Sequence, residues 1–198
     1  MKNRISVRKL VTVAILGAVS TVLMYLEFPL PFLIPPFVKF DFADVPSLLA
    51  AYSMGPAAGA TVCLIRCAVH LAVTHSAGAG ELANFILGCC LAAPAGIIYR
   101  QKKTRTGAII GASAGALTMA GASLPVNLFI TYPFYMSAYG MSEESIMELY
   151  RLIIPSTKDL LSALLIFNMP FTLLKGVVAA AAMLAVFTRI SPLINEKR

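Results

Sequence analysis

Tryptophan is absent from this chain of 198 residues, histidine occurs twice, and acidic residues number nine. Each scarcity removes a class of function. Without tryptophan, a cage for an organic cation lacks its best aromatic platform. With 13% charged residues and a mean hydropathy of +0.82, the composition lies far from that of soluble domains. No G-K-[ST] occurs anywhere, so the chain has no phosphate-cradling loop and cannot supply ATP energy itself. Nor does any nucleophile–base pair or metal-ligand spacing support catalysis. Cys63, Cys67, Cys89 and Cys90 fall within apolar runs and read as small packing residues, although Cys63, Cys67 and His70 share a helical face.

What is present is grease, and it is organised. Hydrophobic residues make up 59% of the chain. Of sixteen Lys and Arg, eleven gather in three clusters: Lys2, Arg4, Arg8 and Lys9; Arg100, Lys102, Lys103 and Arg105; Arg189, Lys197 and Arg198. All acids except Glu196 lie in the segments between. Cations flanking apolar spans mark the cytoplasmic side, so the net charge of +7 is a topology signal and not a nucleic-acid patch. The amino terminus is basic and then apolar from Leu10 to Leu26. That run is long for a signal peptide and no A-x-A-like site closes it, so it reads as a retained first helix.

The pattern predicts an all-α integral membrane protein, a single membrane domain over 1–198 with both termini cytoplasmic. Six helices are expected at about 6–26, 45–54, 57–73, 81–99, 106–132 and 158–188. Pro29, Pro31, Pro35 and Pro36 make the segment between helices 1 and 2 an external loop instead of a helix. Asp44 is placed as the N-cap of helix 2, ahead of Pro46. Gly107, Gly111 and Gly115, with Ala108, Ala112 and Ala116, form a seam for close helix contact. Ala14 and Ala18, beside Gly17, do the same on helix 1. Ser142 opens a short outer helix that stops before Pro155, and Pro170 sets a kink in the last span.

Polar residues stand out against this background. From Met169 to Thr188 the chain is apolar but for two threonines and Lys175. An unpaired ammonium at the centre of a span costs on the order of 2.5–3.5 kcal/mol, so Lys175 needs a partner or a purpose. Arg66, inside helix 3, raises the same question without an evident partner in sequence. Counting ~1.5 Å per residue up from Arg100, Arg105 and Arg189 places Glu81, Asn84, Asn127, Asn168, Thr172 and Lys175 at ~21–33 Å. All six fall in the outer half of the bilayer, beneath the proline loop with Lys39 and Asp41. The arrangement describes a pocket open to the outside and sealed below by apolar residues. Amides offer donors and acceptors together, and surrounding Tyr and Phe suit a flat ring. Lys175 is expected to donate to such a ring or to balance Glu81. Each asparagine alone is equally explained by a bond between helices.

Leu26-Glu27-Phe28-Pro29, Lys39-Phe40-Asp41, Gly55-Pro56, Gly80-Glu81-Leu82-Ala83-Asn84-Phe85 and Asn168-Met169-Pro170-Phe171-Thr172-Leu173-Leu174-Lys175-Gly176 carry a further signal. Their order and spacing resemble the substrate-binding S components of energy-coupling factor (ECF) vitamin transporters, most closely the riboflavin-specific subfamily. The resemblance covers nearly the whole chain. It implies a multi-pass protein of the bacterial cell membrane that captures riboflavin outside and is not an enzyme. It implies no cofactor beyond the transported vitamin, a coupling membrane subunit and two ATPase subunits as partners, and lipid around the bundle. Contacts to the ring or ribityl chain are implied for Glu81, Asn127, Thr172 and Lys175, and for Asn84, Asn168, Lys39 and Asp41. Ala14 and Ala18 match the family's A-x-x-x-A docking face. The alternatives are an S component for another vitamin, or a small membrane enzyme or assembly subunit.

Overall fold

The computed structural model describes residues 6–74 and 78–195, and their side chains except at 139 and 188–195. Lys2, Arg4, His75, Glu196, Lys197 and Arg198 lie outside the described residues. Helix α1 spans Val7–Tyr25 and is capped by Ser6, whose hydroxyl accepts from the Lys9 amide at 3.3 Å. One face of it, Gly17, Ser20, Thr21 and Met24, is buried. The opposite face, with Leu10, Val11, Ile15, Val19 and Val22, is exposed and equally apolar. A helix that is greasy on both faces belongs in lipid. Five helical segments are long and apolar enough to cross a membrane: Val7–Tyr25, Pro56–Val73, Ala79–Gln101, Arg105–Ala138 and Leu160–Phe187.

After α1 the chain makes a two-residue antiparallel ladder, β1 (Phe28–Pro29) with β2 (Lys39–Phe40), pairing Phe28 with Phe40 and Pro29 with Lys39. The proline-rich segment is thereby pinned at both ends. Helix α2 (Asp44–Met54) has eleven residues, ~17 Å of rise, and reaches only about halfway through a bilayer. Its N-cap is Ala43, which gives no side-chain cap. The expected capping role of Asp44 is not realised, because its carboxylate is taken by Arg66 of the next helix. Gly55, at φ 104°, makes the left-handed turn that lets Pro56 open α3 (Pro56–His70), continued by a 3₁₀ turn at Leu71–Val73.

Helix α4 (Ala79–Gln101) packs on α5 (Arg105–Val126) through the glycine seam. An added Cβ at Gly115 would collide with the Leu91 carbonyl oxygen, and at Gly111 would stand 2.8 Å from that of Ala95. Backbone meets backbone there, so nothing can yield. Gly115→Leu is therefore expected to cost about 3 kcal/mol or more and to leave little monodisperse protein on size exclusion. A wild-type elution profile and yield would contradict this packing.

The helix expected over about 106–132 does not end there but runs on to Ala138. It passes through a π-helical turn, Asn127–Thr131, into α6 (Tyr132–Tyr139). Helix α7 (Glu143–Arg151) follows, with Ser142 capping the Ser145 amide at 3.1 Å. The last span begins with α8 (Leu160–Ala163), capped by Asp159, makes a second π turn at Leu164–Asn168, and continues as α9 (Met169–Asn195). The irregularity expected at Pro170 falls in the turn just before it. Proline lacks an N–H and its ring crowds the carbonyl four residues back, which a π turn relieves.

Two apolar clusters fill the bundle. One joins Leu48, Tyr52, Leu87, Leu91, Met119, Met183 and Phe187 with the alanines of α5 and α9. It ends in a Tyr52–Tyr99–Phe187 aromatic group next to Arg100. The other joins Ile34, Phe40, Tyr132, Ile146, Tyr150, Phe167 and Phe171. Residues of both clusters line a cavity between them.

Candidate functional site: a cavity under the proline loop

The cavity holds about 380 Å³, in the range of small-molecule pockets. Of the eight residues expected to meet a ligand, seven line it: Lys39, Glu81, Asn84, Asn127, Asn168, Thr172 and Lys175. Met24, Phe37, Met119, Tyr135 and Phe171 supply apolar and aromatic walls. Each π turn carries one of the asparagines, Asn127 as its first residue and Asn168 as its last. The widened turns set where these amides sit on their helices.

The asparagines are not equivalent. Asn168 accepts from the Tyr150 hydroxyl at 2.6 Å and donates to the Tyr132 hydroxyl at 3.3 Å, while the two tyrosines bond each other. Burial pushes the Tyr150 phenol up, so it stays protonated and keeps donating. Most of the Asn168 amide is thus spent on fastening α7 to the bundle, the interhelical use that any one asparagine invites. Asn84 and Asn127 are half-buried and have no side-chain hydrogen bond among the described residues. Thr172, at the same wall, is buried.

Asp41, the eighth expected residue, does not line the cavity and stands behind it. Lys175 Nζ donates to Asp41 Oδ2 at 2.8 Å, with both residues buried. The Ala43 amide donates to the other carboxylate oxygen, Oδ1, at 2.8 Å. Burial alone would raise the Asp41 carboxyl. The Lys175 and Arg66 cations and these hydrogen bonds outweigh it and hold the group below the ordinary carboxylate range. The resulting stability is present above that range and is lost only as pH falls through the lowered value. Lys175 has three donors and uses one on Asp41, leaving an ammonium fixed at the cavity wall.

Glu81 is not balanced by Lys175. Its Oε1 pairs with His70 Nδ1 at 2.8 Å, both buried. Arg66 finds its partner in Asp44, Nη2 to Oδ1 at 2.6 Å, almost wholly inaccessible. Arg66 Nε and Nη1 and Asp44 Oδ2 have no partner among the described residues. Gly88 makes room for this pair, since an added Cβ would stand 2.7 Å from Arg66 Nη2. Cys63 and Cys67 flank Arg66, and no group of three His, Cys, Asp or Glu among the described residues is placed to hold a metal.

Sequence reasoning missed Glu27 and His70. Glu27 accepts from Lys39 Nζ at 2.5 Å and both line the cavity, closing the loop's two arms over it. The available signal was that Glu27 and Lys39 are two opposite charges in an otherwise apolar loop. The small residues of α1 divide between two faces. Gly17 packs against Ile65, whereas Ala14 and Ala18 are exposed on the outside of the bundle.

Comparison with known proteins places this geometry in company. The model of a family described as the substrate-specific component of the ECF transporter matches residues 8–187. The riboflavin transporter RibU of Staphylococcus aureus (strain TCH60) is 29% identical over 189 residues, covering 96% of this chain and 93% of that protein. The riboflavin transporter FmnP of Bacillus subtilis (strain 168) is 29% identical over 197 residues, covering 97% and 96%. A solved structure, described as the S component of a bacterial ECF transporter, superposes with a TM-score of 0.75 at 28% identity. It covers 95% of this chain and 98% of its own.

Proposed function

The chain belongs to the family of ECF transporter substrate-specific components, and from that premise we propose that it binds riboflavin in the cavity beneath the proline loop. The family is a transporter's substrate-binding component and not an enzyme, and the chain is a multi-pass bacterial membrane protein. The observation that carries the ligand assignment is the make-up of the cavity wall. Asn84, Asn127, Thr172, Glu81 and the fixed Lys175 ammonium give a mixed donor–acceptor set in a cavity also lined by Phe37, Tyr135, Phe171 and three methionines. Riboflavin has the matching pair of features, a flat ring with a uracil-like edge and a hydroxylated tail. Asn168, Lys39 and Asp41 act one step back, fastening α7, the loop and Lys175.

The same reading treats 1–198 as one membrane domain with α2 as a short sixth helix. Both termini are cytoplasmic and the proline-rich loop is external. The cluster of Tyr52, Leu91, Met183 and Phe187 is then the seal on the cytoplasmic side. Release inward requires a coupling membrane subunit and two ATPase subunits, against which the bundle topples as a rigid body through the Ala14 and Ala18 face. A detergent-purified preparation tests the ligand: a yellow protein with a flavin spectrum supports the reading. A colourless protein that also fails to take up flavin would remove it.

A further inference from the structure

We propose that Ser20 of α1 is a positioning residue for the Lys175 ammonium, acting through a chain of three hydrogen bonds that ends at the cavity wall. This role rests on the reading that Lys175 meets riboflavin. Ser20 Oγ donates to the Ala43 carbonyl oxygen at 2.6 Å. The Ala43 amide donates to Asp41 Oδ1 at 2.8 Å, and Lys175 Nζ donates to Asp41 Oδ2 at 2.8 Å. All four residues are buried, Ser20 completely. The chain of bonds joins α1, the connection between β2 and α2, and α9, and of its members only Lys175 lines the cavity.

Serine and threonine within a helix commonly turn the hydroxyl back to a carbonyl one turn earlier. Thr12 and Thr21 of α1 do so, donating to the Arg8 and Gly17 carbonyls. Ser20 instead spends its hydroxyl on a residue 23 positions away. What it holds there is the residue whose amide aims the Asp41 carboxylate. Asp41 and Ala43 stand in a three-residue connection with no ladder or helix of its own. The pairing of Phe40 with Phe28 anchors that connection on one side, and Ser20 anchors it on the other. A carboxylate held at Oδ1 presents Oδ2 in one direction, and a lysine on its flexible four-carbon stem follows that oxygen. With Ala43 loosened, the carboxylate and then the ammonium spread over positions a ligand cannot use, and preorganisation is lost. Ser47 Oγ lies 3.5 Å from the same carbonyl, so removing the Ser20 hydroxyl does not strand that oxygen. Binding is therefore expected to suffer more than the fold.

The experiment is riboflavin titration of the detergent-purified, ligand-stripped full chain carrying Ser20→Ala. It is run in the wild-type background and again in Lys175→Met/Asp41→Asn, where the positioned group is gone. In the first, affinity is expected to fall about fivefold with an unchanged elution profile. In the second, Ser20→Ala is expected to cost less than about twofold, because its effect passes through Lys175. Thr21→Ala, which removes a hydroxyl bonded within α1, is the control and is expected to bind as wild type does. No loss from Ser20→Ala in the wild-type background, an equal loss in both backgrounds, or a matching loss in Thr21→Ala would overturn the proposal. If Ser20→Ala is not monodisperse, Ser20→Cys, of similar size with a weak donor, decides by the same criteria. A Lys175→Met/Asp41→Asn protein that binds like wild type would overturn the contact between Lys175 and the ligand, and this role with it. No binding by wild type would instead overturn the riboflavin reading itself.

Discussion

Lys175→Met is expected to lose riboflavin binding and fold stability together, and adding Asp41→Asn is expected to restore only the fold. Lys175 and Asp41 are 6% and 4% exposed and bond each other at 2.8 Å. Removing the ammonium alone leaves a buried, uncompensated carboxylate, a loss of about 3–5 kcal/mol. Replacing Asp41 with asparagine removes that charge while keeping an acceptor for the Ala43 amide. Thermal unfolding of the solubilised protein should therefore drop in the single variant and largely recover in the double. Binding should stay about tenfold or more below wild type in both, because the donor proposed to meet the ligand is gone. A double variant that binds riboflavin like wild type would show that Lys175 serves packing and nothing else.

The second large effect concerns the outside of α1. Ala14 and Ala18 are exposed while Gly17, between them in sequence, turns inward onto Ile65. Small residues on an outer face of a membrane helix allow a neighbouring helix to approach closely. Replacing both alanines with leucine fills that face without touching the cavity, which neither residue lines. In cells that supply the ATPases and coupling subunit, riboflavin uptake is expected to fall more than about tenfold. Purified variant protein should bind the vitamin as wild type does. Unimpaired uptake would remove the docking proposal, and impaired binding would mean that α1 shapes the pocket.

The apolar runs between basic clusters carry most of the fold in plain view, because a bilayer demands long uncharged helices whatever their partners. That several polar residues stand at a similar level along their helices was legible for the same reason. Rise per residue from the basic clusters is arithmetic, and the six residues it set at a similar level all line one cavity. Which way each helix turns about its own axis was not legible. In lipid the outward face is as apolar as the inward one, so periodicity does not say which polar group meets which. That is why Lys175 met Asp41, 134 residues away, while Glu81 met His70 and Arg66 met Asp44. The π turns were hidden too, since they are backbone responses to crowding near prolines and leave no mark in composition. Asn168 illustrates the consequence: it lines the cavity, yet two tyrosines claim its amide.

One flavin per cavity is the central expectation. Ligand-stripped, monodisperse protein titrated with riboflavin should quench flavin fluorescence saturably at one equivalent per chain. Linear, unsaturable quenching from the same well-folded protein would contradict it.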